Sequence, residues 1–268
     1  MKNQKKQPIV VKKPFCTGSP VDENTLKSSL VFFGCLLIVY FMSFLVSATT
    51  GAAGAVFRII FNAVIIALIV FIFFNNGTNR GADAVTRGEI LYQKKEKGDQ
   101  VSESEMKVCY HRWKGFITAL IGTLPVLIPA IIFAVVTQPQ MTDSGTLPSW
   151  MQAYTKRSDV GNALVHYIQP EGMNIVDYLR VFIRIAIIPY ISIVGNASKY
   201  TLYIIERICP IFVMIPAIAY GIGYTTGKDI RTKIHSAIVE NDKKRKTAEK
   251  KRKKKMNKPQ FRGPEQLN

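Results

Sequence analysis

The chain has 268 residues, of which 48% are hydrophobic, and carries 36 Lys and Arg against 18 Asp and Glu, a net charge of +18. The charges gather at both ends and in one central stretch, and the long apolar runs between them hold almost none. Because about 20 helical residues cross a ~30 Å hydrocarbon core, this pattern excludes one soluble core. It predicts an all-α fold, a polytopic membrane helical bundle.

Residues 1–27 form the first segment, a basic leader. Six lysines and three prolines accompany only two acidic residues, Asp22 and Glu23. Such a composition buries too little apolar surface to order itself, so we expect a flexible leader on the cytoplasmic side.

The next segment, 28–74, predicts a transmembrane hairpin. A charge-free run at 28–48 is the first span, a second run at 54–74 returns, and a short turn joins them. An alternative interpretation is a cleaved signal peptide over 1–48, with Ser47 and Ala48 near the cleavage point. The apolar run is longer than the usual 7 to 15 residues of such a peptide, which favours the hairpin.

Residues 75–114 predict a cytoplasmic loop with short helices, and a plain solvated loop is the alternative. Two capping-box patterns divide it, Thr86 with Glu89 and Ser102 with Glu105. The first predicts a short helix through GEILYQKKEK. The second predicts a helix that continues through Trp113 into the third span, 115–137.

The transmembrane part continues over 115–227, interrupted by an external loop at 138–174. That loop has little net charge, and its Trp and Tyr side chains suit a membrane interface. Two more apolar segments follow, at 175–195 and 200–227, and a polybasic tail occupies 228–268.

The distribution of Lys and Arg predicts the orientation. Basic flanks stay on the cytoplasmic side, so the leader, the 75–114 loop and the tail are expected there, with both termini cytoplasmic and the plasma membrane as the location. By this rule residue 138 lies outside and the tail lies inside, so the chain must cross the membrane an odd number of times after residue 138. We therefore predict four transmembrane helices plus one interfacial or re-entrant helix, with five transmembrane helices as the alternative.

The segment 175–195 is the weaker candidate for a span, since it contains Asp177, Arg180, Arg184 and Pro189. Arg180 and Arg184 are four residues apart and share one helix face. A helix with a basic stripe and an apolar remainder can lie in the interface or dip into the bilayer and return.

A possible intramembrane polar site lies in the last apolar segment. Glu206 and Arg207 stand nearly two turns inside it, where charges are costly and usually have a partner or a pathway. We expect Glu206 to pair with Arg180 or Arg184 as a structural ion pair, or else to face a hydrated cavity that binds an ion or solute.

Two similar hexamers, VLIPAI at 126–131 and VMIPAI at 213–218, place prolines in the third and last spans. Because proline removes a helical hydrogen bond, kinks are expected at Pro125, Pro129, Pro210 and Pro216. If the hexamers belong to an inverted repeat, Pro129 and Pro216 face each other at one depth near the midplane. Chance or a shared need for a kink is the alternative.

The tail begins with apolar residues at four-residue intervals, Ile230, Ile234 and Ile238, which predict an amphipathic helix that continues into a basic extension. We expect it to contact anionic lipid headgroups, with a ribosome or a protein partner as alternatives. With Phe261 as its one aromatic residue, specific nucleic-acid recognition is not expected. The basic residues of the extension are Lys243, Lys244, Arg245, Lys246, Lys250, Lys251, Arg252, Lys253, Lys254 and Lys255.

Nothing in the sequence indicates an enzyme. No HExxH, GxSxG or GxxxxGK[ST] motif occurs, and we expect no cofactor. Cys109 and His111 alone are too few for a metal site, and no disulfide framework is expected from the four cysteines, Cys16, Cys35, Cys109 and Cys209.

Two functions follow from these patterns. The first is a small transport or permease-type component whose proline-kinked helices and Glu206 line a solute path. The second is a membrane scaffold or accessory subunit that docks anionic lipid, a ribosome or a protein partner through the tail.

Overall fold

The computed structural model describes residues 11–48, 54–137, 150–161, 164, 174–195 and 199–256. The regular structure within these ranges is entirely helical, and four helices are long and apolar enough to cross a membrane. These are α1 (Thr25–Ala48), α2 (Ala55–Glu96), α4 (Lys114–Val136) and α8 (Cys209–Met256). The predicted helical membrane bundle with four spans is confirmed. The shorter helices are α3 (Glu103–Lys107), α5 (Ile175–Ala186), α6 (Ile188–Val194) and α7 (Lys199–Arg207), with a 3₁₀ helix at Gln152–Lys156.

The four spans form two parallel pairs, and the two pairs run in opposite directions. α1 and α4 run parallel, and the Ser29 hydroxyl donates a hydrogen bond to the Thr118 carbonyl at 2.9 Å. α2 and α8 also run parallel to each other, in the direction opposite to α1 and α4. α1 packs on α4, α4 on α8 and α8 on α2, around fully buried side chains such as Leu36, Phe73 and Val213.

The two ends of this bundle differ. At the charged end lie residues 11–24, the second half of α2, α3 and the second half of α8. At the opposite end lie the start of α2, the end of α4 and the three short helices α5, α6 and α7.

The predicted flexible leader is wrong for residues 11–27. The Cys16 amide donates to the Gly88 carbonyl at 3.1 Å, and the Gly18 amide donates to the Tyr110 carbonyl at 3.0 Å. The two glycines permit this approach, since a Cβ on Gly88 would stand 2.7 Å from the Cys16 carbonyl oxygen. The chain then enters α1 through Asp22, whose carboxylate accepts a hydrogen bond from the Thr25 hydroxyl at 2.6 Å.

The prediction for 75–114 is wrong at its first half, because α2 continues unbroken through the charged end. Thr86 starts no helix; its hydroxyl donates back to the Ala82 carbonyl at 2.9 Å, as expected in mid-helix. The second capping box, Ser102 with Glu105, is present and starts α3. That helix ends at Lys107, however, and α4 begins separately at Lys114.

The segment 175–195 does not form a span. α5 ends and α6 begins on either side of Ile187, with Pro189 in the first turn of α6. Tyr190 of α6 stacks on Phe212 of α8, with ring centroids 4.4 Å apart. Gly195 follows α6 at φ +62° and lies against the Arg58 guanidinium near the start of α2. The chain therefore dips into the bundle and comes back to the same end, as a re-entrant element.

The prolines occupy two kinds of position. Pro125 and Pro129 lie inside α4 and Pro216 inside α8, and both helices continue through them. Pro210 is the second residue of α8, where a missing amide hydrogen costs little because the first turn of a helix has no partner for it. The kink expected at Pro210 within a span is therefore absent, and a break separates α7 from α8 there.

The two hexamers do not meet at one depth. In the antiparallel pair of α4 and α8, the Cys209 thiol contacts the Ala130 carbonyl and Gly221 adjoins Phe116. This register sets Pro129 level with Pro210, and places Pro216 about six residues, roughly 9 Å, further along. The geometry that an inverted repeat would require is therefore absent, which favours chance or a shared need for a kink as the reason for the two hexamers.

Candidate functional sites

The possible intramembrane polar site is a buried ion cluster at the opposite end. Glu206 is 3% exposed, and its carboxylate lies 2.5 Å from Arg184 Nη2 and 3.6 Å from Arg180 Nε. The Thr137 hydroxyl, at the end of α4, donates to the same carboxylate at 3.1 Å. Two basic groups and one hydroxyl therefore occupy the oxygens of Glu206.

Arg180 connects Glu206 to two further groups, one in α5 and one in α4. Its guanidinium also pairs with Asp177 at 3.1 Å, within α5, and lies over the Phe133 ring of α4 at 5.7 Å. Glu206 was expected to pair with Arg180 or Arg184, and it pairs with both. It joins α5 to α4 and to the end of α7.

Arg207 does not belong to this cluster. Its side chain is exposed on the other face of α7, where it donates to the Tyr203 hydroxyl at 2.5 Å. Neighbours in a helix point about 100° apart, so Glu206 and Arg207 could not both face α5. The prediction that both form one intramembrane site is wrong for Arg207.

A second buried cluster lies at the charged end, and the sequence patterns missed it. Glu89 of α2 is 6% exposed, and its carboxylate lies 3.1 Å from Arg231 Nη2 and 2.7 Å from His235 Nε2. The Val11 amide donates to the adjacent Ser236 hydroxyl at 3.1 Å. This cluster fixes the second half of α2 to α8 outside the apolar zone.

A third ion pair joins the leader to α4. Lys114 Nζ lies 2.7 Å from an Asp22 carboxylate oxygen and also donates to the carbonyls of Lys107 and Val108. Burial alone would raise the pKa of Asp22, but the hydrogen bonds from Lys114 and Thr25 outweigh it, so that this pKa lies below its usual 3.8.

The basic extension is the last part of α8. Beyond Val239 the helix leaves its neighbours among the described residues, and every residue from Glu240 to Lys253 is exposed. Within this stretch Lys244 pairs with Glu240 at 2.8 Å, one turn away. Of the ten basic residues of the extension, Lys254 and Lys255 lie on the helix but their side chains are outside the described part.

The described residues hold no group of three or more His, Cys, Asp or Glu placed to bind a metal ion. Comparison with protein-family models, with curated proteins and with solved structures found no match to this chain. The candidate sites therefore stand on their geometry.

Proposed function

We propose that this protein is a membrane-anchored docking protein. In this proposal the bundle holds the basic extension as a rod, which binds the phosphate backbone of an RNA-bearing particle such as a ribosome. The observation that supports it is the continuity of α8, one helix from Cys209 to Met256 that begins within the bundle and ends beyond it.

The reach of the rod favours a partner away from the membrane surface. The apolar part of α2 ends at Phe74, whose carbonyl adjoins Gly223 of α8. Lys243 is twenty residues further, about 30 Å along the helix, or about 23 Å if the helix tilts by 40°. The headgroup layer is about 5 to 8 Å thick and the Debye length about 8 Å, so most of the extension lies outside the reach of the lipid charges.

The chemistry of the rod favours phosphate over a protein groove. Helices that dock into protein grooves present an apolar stripe, whereas Ala248 is the one apolar side chain from Glu240 to Lys253. Lys and Arg on all faces bind a polyanion by releasing its counterions, without reading its sequence.

Binding of the purified protein in nanodiscs to ribosomes tests this proposal. We expect the affinity to fall steeply with salt, by about 10³-fold or more between 50 and 200 mM. Replacing Lys250, Lys251, Arg252 and Lys253 by Gln should reduce the steepness of log K plotted against log salt concentration by about three to four. Replacing the three lysines by Arg keeps the charge and should leave binding unchanged. Equal binding of the Gln variant, or preference for anionic vesicles over ribosomes, would contradict the proposal.

The transport function stays a prediction from the sequence. It has a direct test, ion flux into proteoliposomes with the wild type and with Glu206→Gln. Flux in the wild type that the substitution abolishes supports a solute path at Glu206. Absence of flux in both removes that support.

A further inference from the structure

A cavity of about 300 Å³ opens at the charged end between the start of α1 and the middle of α2. Its floor comes from α8, through Tyr220 and Tyr224. The charged side chains that line it are Asp22, Lys27, Arg80, Asp83, Arg87 and Lys114, so that its net charge is +2.

The cavity lies at the depth of lipid headgroups. The apolar stretch of α2 ends at Phe74, and Arg80 is six residues further, about 9 Å along the helix. Lys27 directly precedes the apolar stretch of α1. A headgroup layer extends about 5 to 8 Å beyond the hydrocarbon core, so both basic side chains reach it. Val31, also on the wall, is 48% exposed and offers an apolar surface for an acyl chain.

The basic side chains of the cavity are only partly compensated. Lys114 pairs with Asp22, but within the described ranges Lys27, Arg80 and Arg87 make no ion pair. Lys27 also lies in the first turn of α1, close to the positive end of the helix dipole, where a cation is unfavourable. An anion bound beside Lys27 would offset this repulsion.

We propose that this cavity binds one anionic phospholipid. The lipid phosphate lies between Lys27 and Arg80, and Arg87 lies at the outer rim of the cavity. The acyl chains follow the exposed face of α1 past Val31. Basic pockets between transmembrane helices are suited to such headgroups. The site is separate from the basic extension, and it does not depend on the docking function.

Native mass spectrometry of the intact protein, released from micelles that contain phosphatidylglycerol and phosphatidylcholine in equal amounts, tests the proposal. We expect adducts of the anionic lipid at least about tenfold over those of the zwitterionic one. The double variant Lys27→Gln with Arg80→Gln should lower the anionic adduct by at least about tenfold, from the loss of two charge-assisted hydrogen bonds.

The matched control is Lys94→Gln with Lys233→Gln, which removes two exposed charges at the same end of the bundle and should keep the adduct within about twofold. Circular dichroism must show that both double variants are folded. The proposal is overturned if the two variants lose the lipid equally, because a general charge effect then explains binding. It is also overturned if inorganic phosphate displaces the lipid completely, because the ligand is then a free anion.

Discussion

At the scale of single residues, three buried carboxylates each connect separate parts of the chain. Glu206 joins α7 to α5 and α4, Glu89 joins α2 to α8, and Asp22 joins the leader to α4. The pairing of Glu206 was predictable, because an acid in an apolar segment needs a nearby base. The sequence pattern assigned Glu89 to a capping box with Thr86 and gave Asp22 no role, since both lie among many charges and their burial results from packing.

Replacing Glu206 by Gln should destabilise the protein. The substitution leaves the buried Arg180 guanidinium with Asp177, a more exposed carboxylate, as its remaining countercharge. We expect a loss of about 2 to 4 kcal/mol, less than for a fully isolated buried charge, because Asp177 still pairs with Arg180 and Arg184 is partly exposed. Denaturant unfolding in micelles measures this. Arg207→Gln is the control and should change the free energy of unfolding by less than about 0.5 kcal/mol. An equal effect of both substitutions would contradict the assigned cluster.

Asp22 predicts a specific dependence of stability on pH. Because its pKa in the folded protein is below 3.8, its stabilising effect is complete above about pH 4 and is lost as the pH falls through the folded pKa. Asp22→Asn should therefore be less stable than the wild type at pH 6, and the difference should shrink between about pH 4 and pH 2. Thermal unfolding across this range measures it, with the exposed neighbour Glu23→Gln as a control that should show little difference at any pH.

At the scale of elements, paired glycine motifs explain why α2 and α8 pack closely along each other. GTNRG in α2 and GYTTG in α8 both have the form GxxxG. A Cβ on Gly77 would lie 2.1 Å from the Tyr220 carbonyl oxygen, and one on Gly223 would lie 2.0 Å from that of Phe74. Close contact of the two backbones offsets the usual cost of glycine within a helix. The two motifs were visible in the sequence, but their mutual pairing was not.

Substituting Gly223 by Ala should destabilise the bundle by about 1 to 3 kcal/mol, because the added methyl group collides with backbone atoms that cannot move aside. Gly34 provides the matched control, since a Cβ there meets nothing within 4 Å. Gly34→Ala should stabilise α1 by up to about 1 kcal/mol. Unfolding of both variants in the same micelle compares them, and a loss of stability in both would refute the packing argument.

At the scale of the whole molecule, the re-entrant pair α5 and α6 determines which positions share a side of the membrane. Trp150 and Tyr200 should lie on one side, and Lys94 and Thr247 on the other. Single cysteines at these positions, in a chain whose native cysteines are replaced, can be labelled with a membrane-impermeant maleimide. Labelling of Tyr200→Cys from the same side as Lys94→Cys would refute the four-span arrangement in favour of five spans.

The sequence by itself determined the membrane class and the four spans and indicated Arg180 or Arg184 as a partner of Glu206, because hydrocarbon thickness and the cost of a buried charge act on single segments. Only the tertiary structure decided the length of α2, the anchoring of residues 11–24 and the depths of Pro129 and Pro216. Each of these depends on which helices meet and in which register. Glycine contacts and buried ion pairs between distant segments set that register, and no local pattern encodes it.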